Sequence, residues 1–253
     1  MRAGGAMPWV SREPSAKGHE HALLPYPGRG IAVTAVVVAL TALVFTAVAV
    51  RGGLTEVQRV DDRFLRLMVA DRSAPVTATA MVLNLLGLVY VTLPVRIALA
   101  AFLAAHRRWW HLAAFVSAVV VSEVLIGTLK SAYDRPRPAG TLVATSGASF
   151  PSGHSVAASV TVIAAVIALV PPGRGRAVWG GAAMAFSVAM ALSRAYLGAH
   201  WLTDAVAGVL LGASCALLTA LVTGLLQRRH YAHRRGEPGR ARDPDLTLRE
   251  DRR

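Results

Sequence analysis

Twenty consecutive residues without a charge, Ile31–Val50, limit this chain more than any other stretch. A helix of that length rises about 30 Å, the thickness of a bilayer's hydrocarbon core. A cleavable leader is the rival reading, because Ala47-Val48-Ala49 resembles a small-residue cleavage site. The region before it is long and mixed in charge, so a retained span is expected. Five further apolar runs follow: Thr77–Ala105, Leu112–Leu129, Val156–Val170, Ala177–Leu192 and Trp201–Leu226. The fourth continues a helix that opens at Ser152-Gly153-His154 and is stopped by Pro171-Pro172-Gly173. The expected fold is therefore all-α, a polytopic membrane protein with a six-transmembrane-helix bundle over residues 31–226. A composition that is 54% hydrophobic and only 16% charged belongs with that class.

The segments between the runs fix orientation and exclude other classes. Residues 1–30, polar and broken by Pro and Gly, read as a disordered cytoplasmic arm, and residues 227–253 as a basic cytoplasmic tail. In Arg51–Pro75 the apolar Leu54, Val57, Phe64, Leu65 and Met68 recur at helical spacing against Asp61, Asp62, Arg63 and Arg66. That pattern fits a helix lying in the membrane interface or one packed on the spans. Arginine flanking the spans favours both termini in the cytoplasm by the positive-inside rule, which puts the polar motifs on the outer face of the plasma membrane. The net charge of +13 lies beside apolar spans, so it points to anionic lipid and not to nucleic acid. The single cysteine, Cys215, excludes an intramolecular disulfide framework and a cysteine zinc site.

Ionisable groups gather at the ends of four of these runs, where their cost makes them functional candidates. Lys130 ends the third, His154 opens the fourth, Arg194 ends the fifth, and His200 with Asp204 opens the sixth. Only Lys17 and Lys130 are lysines in an arginine-rich chain, so position 130 favours a compact ammonium. Arg137 and Arg194 offer planar guanidinium forks suited to phosphate oxygens. Ser152 and Gly153 begin a helix whose first N–H groups point at any bound anion. His200 and Asp204 are four apart and share a helical face, where a carboxylate can orient the imidazole and leave one nitrogen free to attack. His154 can protonate a leaving oxygen and later activate water. Carboxylates are too few for a metal shell, so no metal and no cofactor is expected. The chemistry implied is phosphoryl transfer through a phosphohistidine.

At these residues the chain resembles the type 2 phosphatidic acid phosphatases and their vanadium haloperoxidase relatives. The family pattern K-x6-R-P, P-S-G-H and S-R-x5-H-x3-D is matched by Lys130…Arg137-Pro138, Pro151-Ser152-Gly153-His154 and Ser193-Arg194…His200…Asp204. The resemblance implies that His200 attacks phosphorus, Asp204 orients it, and His154 acts as acid and then base. It also implies that Lys130, Arg137, Arg194, Ser152 and the Gly153 amide hold the phosphoryl oxygens. The implied substrate is a membrane lipid phosphate or diphosphate, such as phosphatidic acid, phosphatidylglycerol phosphate or a polyprenyl diphosphate. A phosphotransferase using a hydroxyl acceptor and a headgroup-binding protein are the alternatives compatible with the same residues.

Other polar residues carry simpler expectations. Arg135 is read as solvated or touching lipid headgroups, and Arg96 as snorkelling from the inner half of the second span. Glu123 is read as an interhelical hydrogen bond before a role in tuning Lys130 or lining a lipid path. Tyr133 and Trp201 are read as interfacial anchors, and Gly208-x3-Gly212 as a close helix contact.

Overall fold

Gly87 and Leu88 break what reads in the sequence as one long second span. In the computed structural model, which describes residues 22–23 and 27–236, two helices meet there at 52°. Leu88 takes an extended conformation, φ −68° and ψ 148°, and caps the second of them. The expectation of a single helix over Thr77–Ala105 is corrected accordingly.

Among the described residues all the regular structure is helical. The elements are α1 Pro27–Ala49, α2 Arg51–Ala70, α3 Ala74–Leu86, α4 Val89–Ala105, α5 Trp109–Tyr133, α6 Gly153–Leu169, α7 Arg174–Tyr196 and α8 Leu202–Gly236. Of these, α1, α5, α7 and α8 are long and apolar enough to cross a membrane, and the bent α3–α4 pair makes a fifth if counted as one span. Helix α6 has 17 residues and rises only about 26 Å, so it falls short of a full span by length. Helix length alone thus supports four or five spans and leaves the expected sixth, α6, as a shorter apolar helix. The expected arm over 1–30 and tail over 227–253 lie largely outside the described residues, although α1 begins at Pro27 and α8 continues to Gly236.

Helix α6 is the axis of the bundle, packing most extensively on α8 and also against α5 and α7. Val156, Val160 and Ala164 of α6 meet Phe115 of α5, Leu103 of α4 and Leu211 of α8 in the main core. The approach of α8 to α6 depends on the two glycines singled out in the sequence. A Cβ on Gly208 would stand 2.7 Å from the Ser152 carbonyl oxygen and from Ser155 Cβ, and one on Gly212 2.7 Å from the Val156 carbonyl oxygen. This close crossing fixes the start of α6 beside the start of α8. Outward, Val36 and Leu43 on α1, Ile97 on α4 and Val124 on α5 are exposed, a belt that lipid solvates without cost.

Helix α2 does more than lie against the bundle. Asp61, which the pattern puts among its polar residues, is fully buried and reaches the first turn of α8. Its Oδ1 accepts the Thr203 backbone N–H at 2.9 Å and its Oδ2 the Thr203 hydroxyl at 2.6 Å. One carboxylate from α2 thereby caps the helix that carries Asp204.

Candidate active site

Three helix ends, one turn and one loop surround a cavity of about 240 Å³ lined by Lys130, Arg137, Gly153, His154, Arg194 and His200, with the 144–146 stretch across it. Helix α5 delivers Lys130 from its last turn and α7 delivers Arg194 from its last turn. Helix α6 delivers Gly153 and His154 from its first turn. The turn between α7 and α8 delivers His200. Cationic groups beside a helix N-terminus make this a site for an anion.

The protonation of His200 follows from its two neighbours. Its Nδ1 lies 2.8 Å from the Ser149 carbonyl oxygen, which can only accept, so Nδ1 carries the proton. Its Nε2 lies 3.1 Å from Arg137 Nη1, which can only donate, so Nε2 presents a lone pair. The ring is almost fully buried. Burial lowers its pKa to about 4, although Asp204 pulls upward while Arg137 and Arg194 push further down. At neutral pH His200 is therefore an uncharged imidazole whose Nε2 lone pair meets Arg137 at the cavity wall.

Asp204 does not take the Nδ1 proton directly, since its Oδ2 stands 3.7 Å from that nitrogen. It accepts the Ser149 hydroxyl instead, together with the Trp201 backbone N–H at 2.9 Å. Its Oδ1 accepts Arg135 Nη1 at 2.7 Å. The structure thus sets Asp204 beside His200 as an ion-pair partner, with Ser149 the nearer contact of the ring. The cause is local: Trp201 and Ser149 occupy the lone pairs that would otherwise face the ring.

Arg135 is corrected. It is 5% exposed rather than solvated, and it lies between two buried carboxylates. Its Nη2 reaches Asp61 Oδ2 at 2.7 Å and Gln58 at 2.9 Å, while Nη1 reaches Asp204 and Thr203. The Trp201 ring stacks beside this guanidinium at 5.6 Å. Trp201 also donates its indole N–H to the Pro136 carbonyl, so it is tied into the site.

The remaining candidates divide by whether they face the cavity. Arg137 donates to the carbonyls of Ser146, Gly147, Ala148 and Ala199 as well as meeting His200, and Lys130 Nζ donates to Ala148. Arg194 is 2% exposed and bonds the Asn84 side chain from α3, but its Nε has no partner. His154 Nε2 also has none, and its ring rests on Gly87, where a Cβ would stand 2.4 Å from His154 Cδ2. Ser152 is the one predicted phosphate contact that the structure sets behind the wall. It is fully buried, its hydroxyl accepts from Ser155 at 3.0 Å, and the close crossing of α8 covers it. Sequence reasoning passed over Asn84 and the part played by Ser149, and it left Arg135 and Asp61 outside the site. A lone Asn within the apolar run Met81–Val89 and the repeated Arg-Pro of Arg135-Pro136-Arg137-Pro138 were the available signals. Among the described residues no group of three His, Cys, Asp or Glu side chains gathers as a metal site would require.

The comparisons with known proteins agree with this geometry. The fold matches the crystal structure of a transmembrane PAP2 type phosphatidylglycerolphosphate phosphatase from Bacillus subtilis. The TM-score is 0.64 at 24% identity, over 78% of this chain and 96% of that one. No curated protein matches the chain. The PAP2 superfamily profile matches residues 109–228, which include every cavity-lining side chain named above. Over those residues the chain is similar to the PAP2 superfamily.

Proposed function

We propose that this membrane protein is a phosphatase that hydrolyses a lipid phosphate or diphosphate by transfer through a phosphohistidine on His200, without a metal. The observation that carries this reading is the doubly fixed imidazole, with Nδ1–H held by the Ser149 carbonyl and Nε2 turned to a cavity rimmed by cations. A substrate phosphoryl group takes the place of Nε2 as the partner of Arg137 Nη1. Its oxygens then receive N–H donors from Arg137, Arg194, Lys130 and the start of α6. Nε2 bonds to phosphorus as the P–O bond to the lipid breaks, and His154, which takes up a proton from the bound phosphate monoanion, gives the leaving oxygen that proton. Water then attacks phosphorus, His154 takes a proton from that water, and the P–N bond breaks to release phosphate. The His200 ring carries positive charge while phosphorylated, and Asp204, buried within 4 Å of it, offsets that charge.

The cavity sits at the ends of helices whose outer faces are apolar, which suits a substrate whose tail stays in lipid. The arginine distribution supports a plasma-membrane orientation with both termini cytoplasmic and this site outside. In detergent, His200→Ala should lose phosphate release from phosphatidic acid and related lipids while the wild type retains it in EDTA. Activity that disappears on chelation, or persists in His200→Ala, would contradict the mechanism.

A further inference from the structure

A second cavity, of about 500 Å³, opens between α4 and α5 beside the α3–α4 bend, and it shares the His154 ring and Gly153 with the phosphate cavity. Apart from Thr92, His154, Arg96 and Glu123, its walls are aliphatic, aromatic or glycine. The last two form an ion pair, with Arg96 Nη1 at 2.7 Å from Glu123 Oε1. Arg96 does not snorkel, as the sequence suggested. It is 9% exposed and also donates to the Thr161 hydroxyl at 2.9 Å and the Ala157 carbonyl at 3.4 Å.

The two partners differ in a way that neutralisation alone does not explain. The Glu123 side chain is 51% exposed, and its Oε2 makes no hydrogen bond among the described residues. Three hydrogen bonds leave two of the five Arg96 N–H groups free. An ion pair among apolar walls costs desolvation that aliphatic replacements would avoid, so its unused donors and acceptor point to a ligand.

Depth identifies what that ligand presents. Ala157 and Thr161 lie three and seven residues beyond His154 on α6, and Glu123 lies seven before Lys130 on α5. At 1.5 Å per residue the pair sits about 5–10 Å further into the bundle than the phosphate. That is about four to eight covalent bonds along a substrate. In a glycerol-based lipid phosphate those bonds hold the glycerol carbons and the first ester groups. In a polyprenyl phosphate they hold hydrocarbon only.

We propose that Arg96 and Glu123 form a subsite that reads the linker between phosphate and tails, and so selects glycerol-based lipid phosphates over polyprenyl phosphates. Free Arg96 N–H groups meet ester carbonyls, and Glu123 Oε2 accepts from a hydroxyl. A hydrocarbon linker would desolvate both groups and return nothing. This rests on the lipid-phosphatase reading above.

The test is phosphate release by the full chain in detergent from oleoyl lysophosphatidic acid, which carries one ester carbonyl and one free glycerol hydroxyl, and from farnesyl phosphate. Wild type should favour lysophosphatidic acid in kcat/KM. The double variant Arg96→Met with Glu123→Leu, which removes both charges together, should reduce that preference by about tenfold or more, through KM for lysophosphatidic acid. If the double variant does not fold, Glu123→Gln keeps the shape and the Arg96 contact and should shift the ratio in the same direction. An unchanged ratio in a folded variant, or a wild type that prefers farnesyl phosphate, overturns the subsite alone. No release from either lipid by wild type overturns the phosphatase reading and the subsite with it.

Discussion

The Ser149 carbonyl oxygen lies 2.8 Å from His200 Nδ1, nearer than the Asp204 carboxylate at 3.7 Å. A backbone group thus fixes the tautomer, and no side-chain substitution removes it. Asp204→Asn should therefore lower kcat by about 10²–10³, the loss of one electrostatic partner, with KM little changed. Phosphate release under saturating substrate measures this. A loss beyond about 10⁴ in a normally folded variant would show that Asp204 sets the tautomer after all.

Arg135 binds two carboxylates that are each fully buried, Asp61 and Asp204. Replacing it with Met leaves both without their counter-charge and should cost about 3–5 kcal/mol. Thermal unfolding in detergent reads this as a large fall in Tm. Arg135→Lys should recover part of it, since one ammonium reaches one carboxylate but cannot fork to both.

Gly87→Ala should act through His154 alone, because the new Cβ would stand 2.4 Å from its ring. Displacing the proton donor by a fraction of an ångström should cut kcat by about tenfold or more and leave KM nearly unchanged. Gly180→Ala on α7 is the control, since nothing lies within 4 Å of its Cβ. It should keep full activity and gain about 0.5–1 kcal/mol of stability.

Most of the cavity lining was legible because its chemistry is local to the chain. Lys130, Gly153, His154, Arg194 and His200 stand at helix ends, and helix ends are set by apolar run length and by Pro and Gly. Their convergence on one cavity follows from the up-and-down order of the helices. The roles of Arg135 and Asp61 were not legible, because charged side chains in a polar loop and an amphipathic helix look solvated until packing buries them. Ser152 misled for the opposite reason. Its position at the start of α6 suggests an anion contact, but Gly208 lets α8 come close enough to cover it. Arg96 resembled a snorkelling residue because its partners, Glu123 and Thr161, come from two other helices.

Acid should destabilise the protein partly through His200. Its folded pKa of about 4 lies below the ordinary value of 6.5, so the unfolded chain takes up the proton first as pH falls. The stability from this group is complete above about 6.5 and is lost progressively toward 4. Wild type should lose more Tm across that window than His200→Asn, as unfolding at stepped pH would show. In the same window His200 of the free enzyme stays neutral, so its contribution to the acid limb of kcat/KM should fall near pH 4.

The central claim is a covalent bond between His200 and phosphorus. Chain reacted with a lipid carrying radiolabelled phosphate, then quenched in alkali where phosphohistidine survives, should yield label on the peptide that contains His200. Label should be absent from His200→Ala. Labelled phosphate released at the wild-type rate by His200→Ala, or label on another residue, would contradict the account.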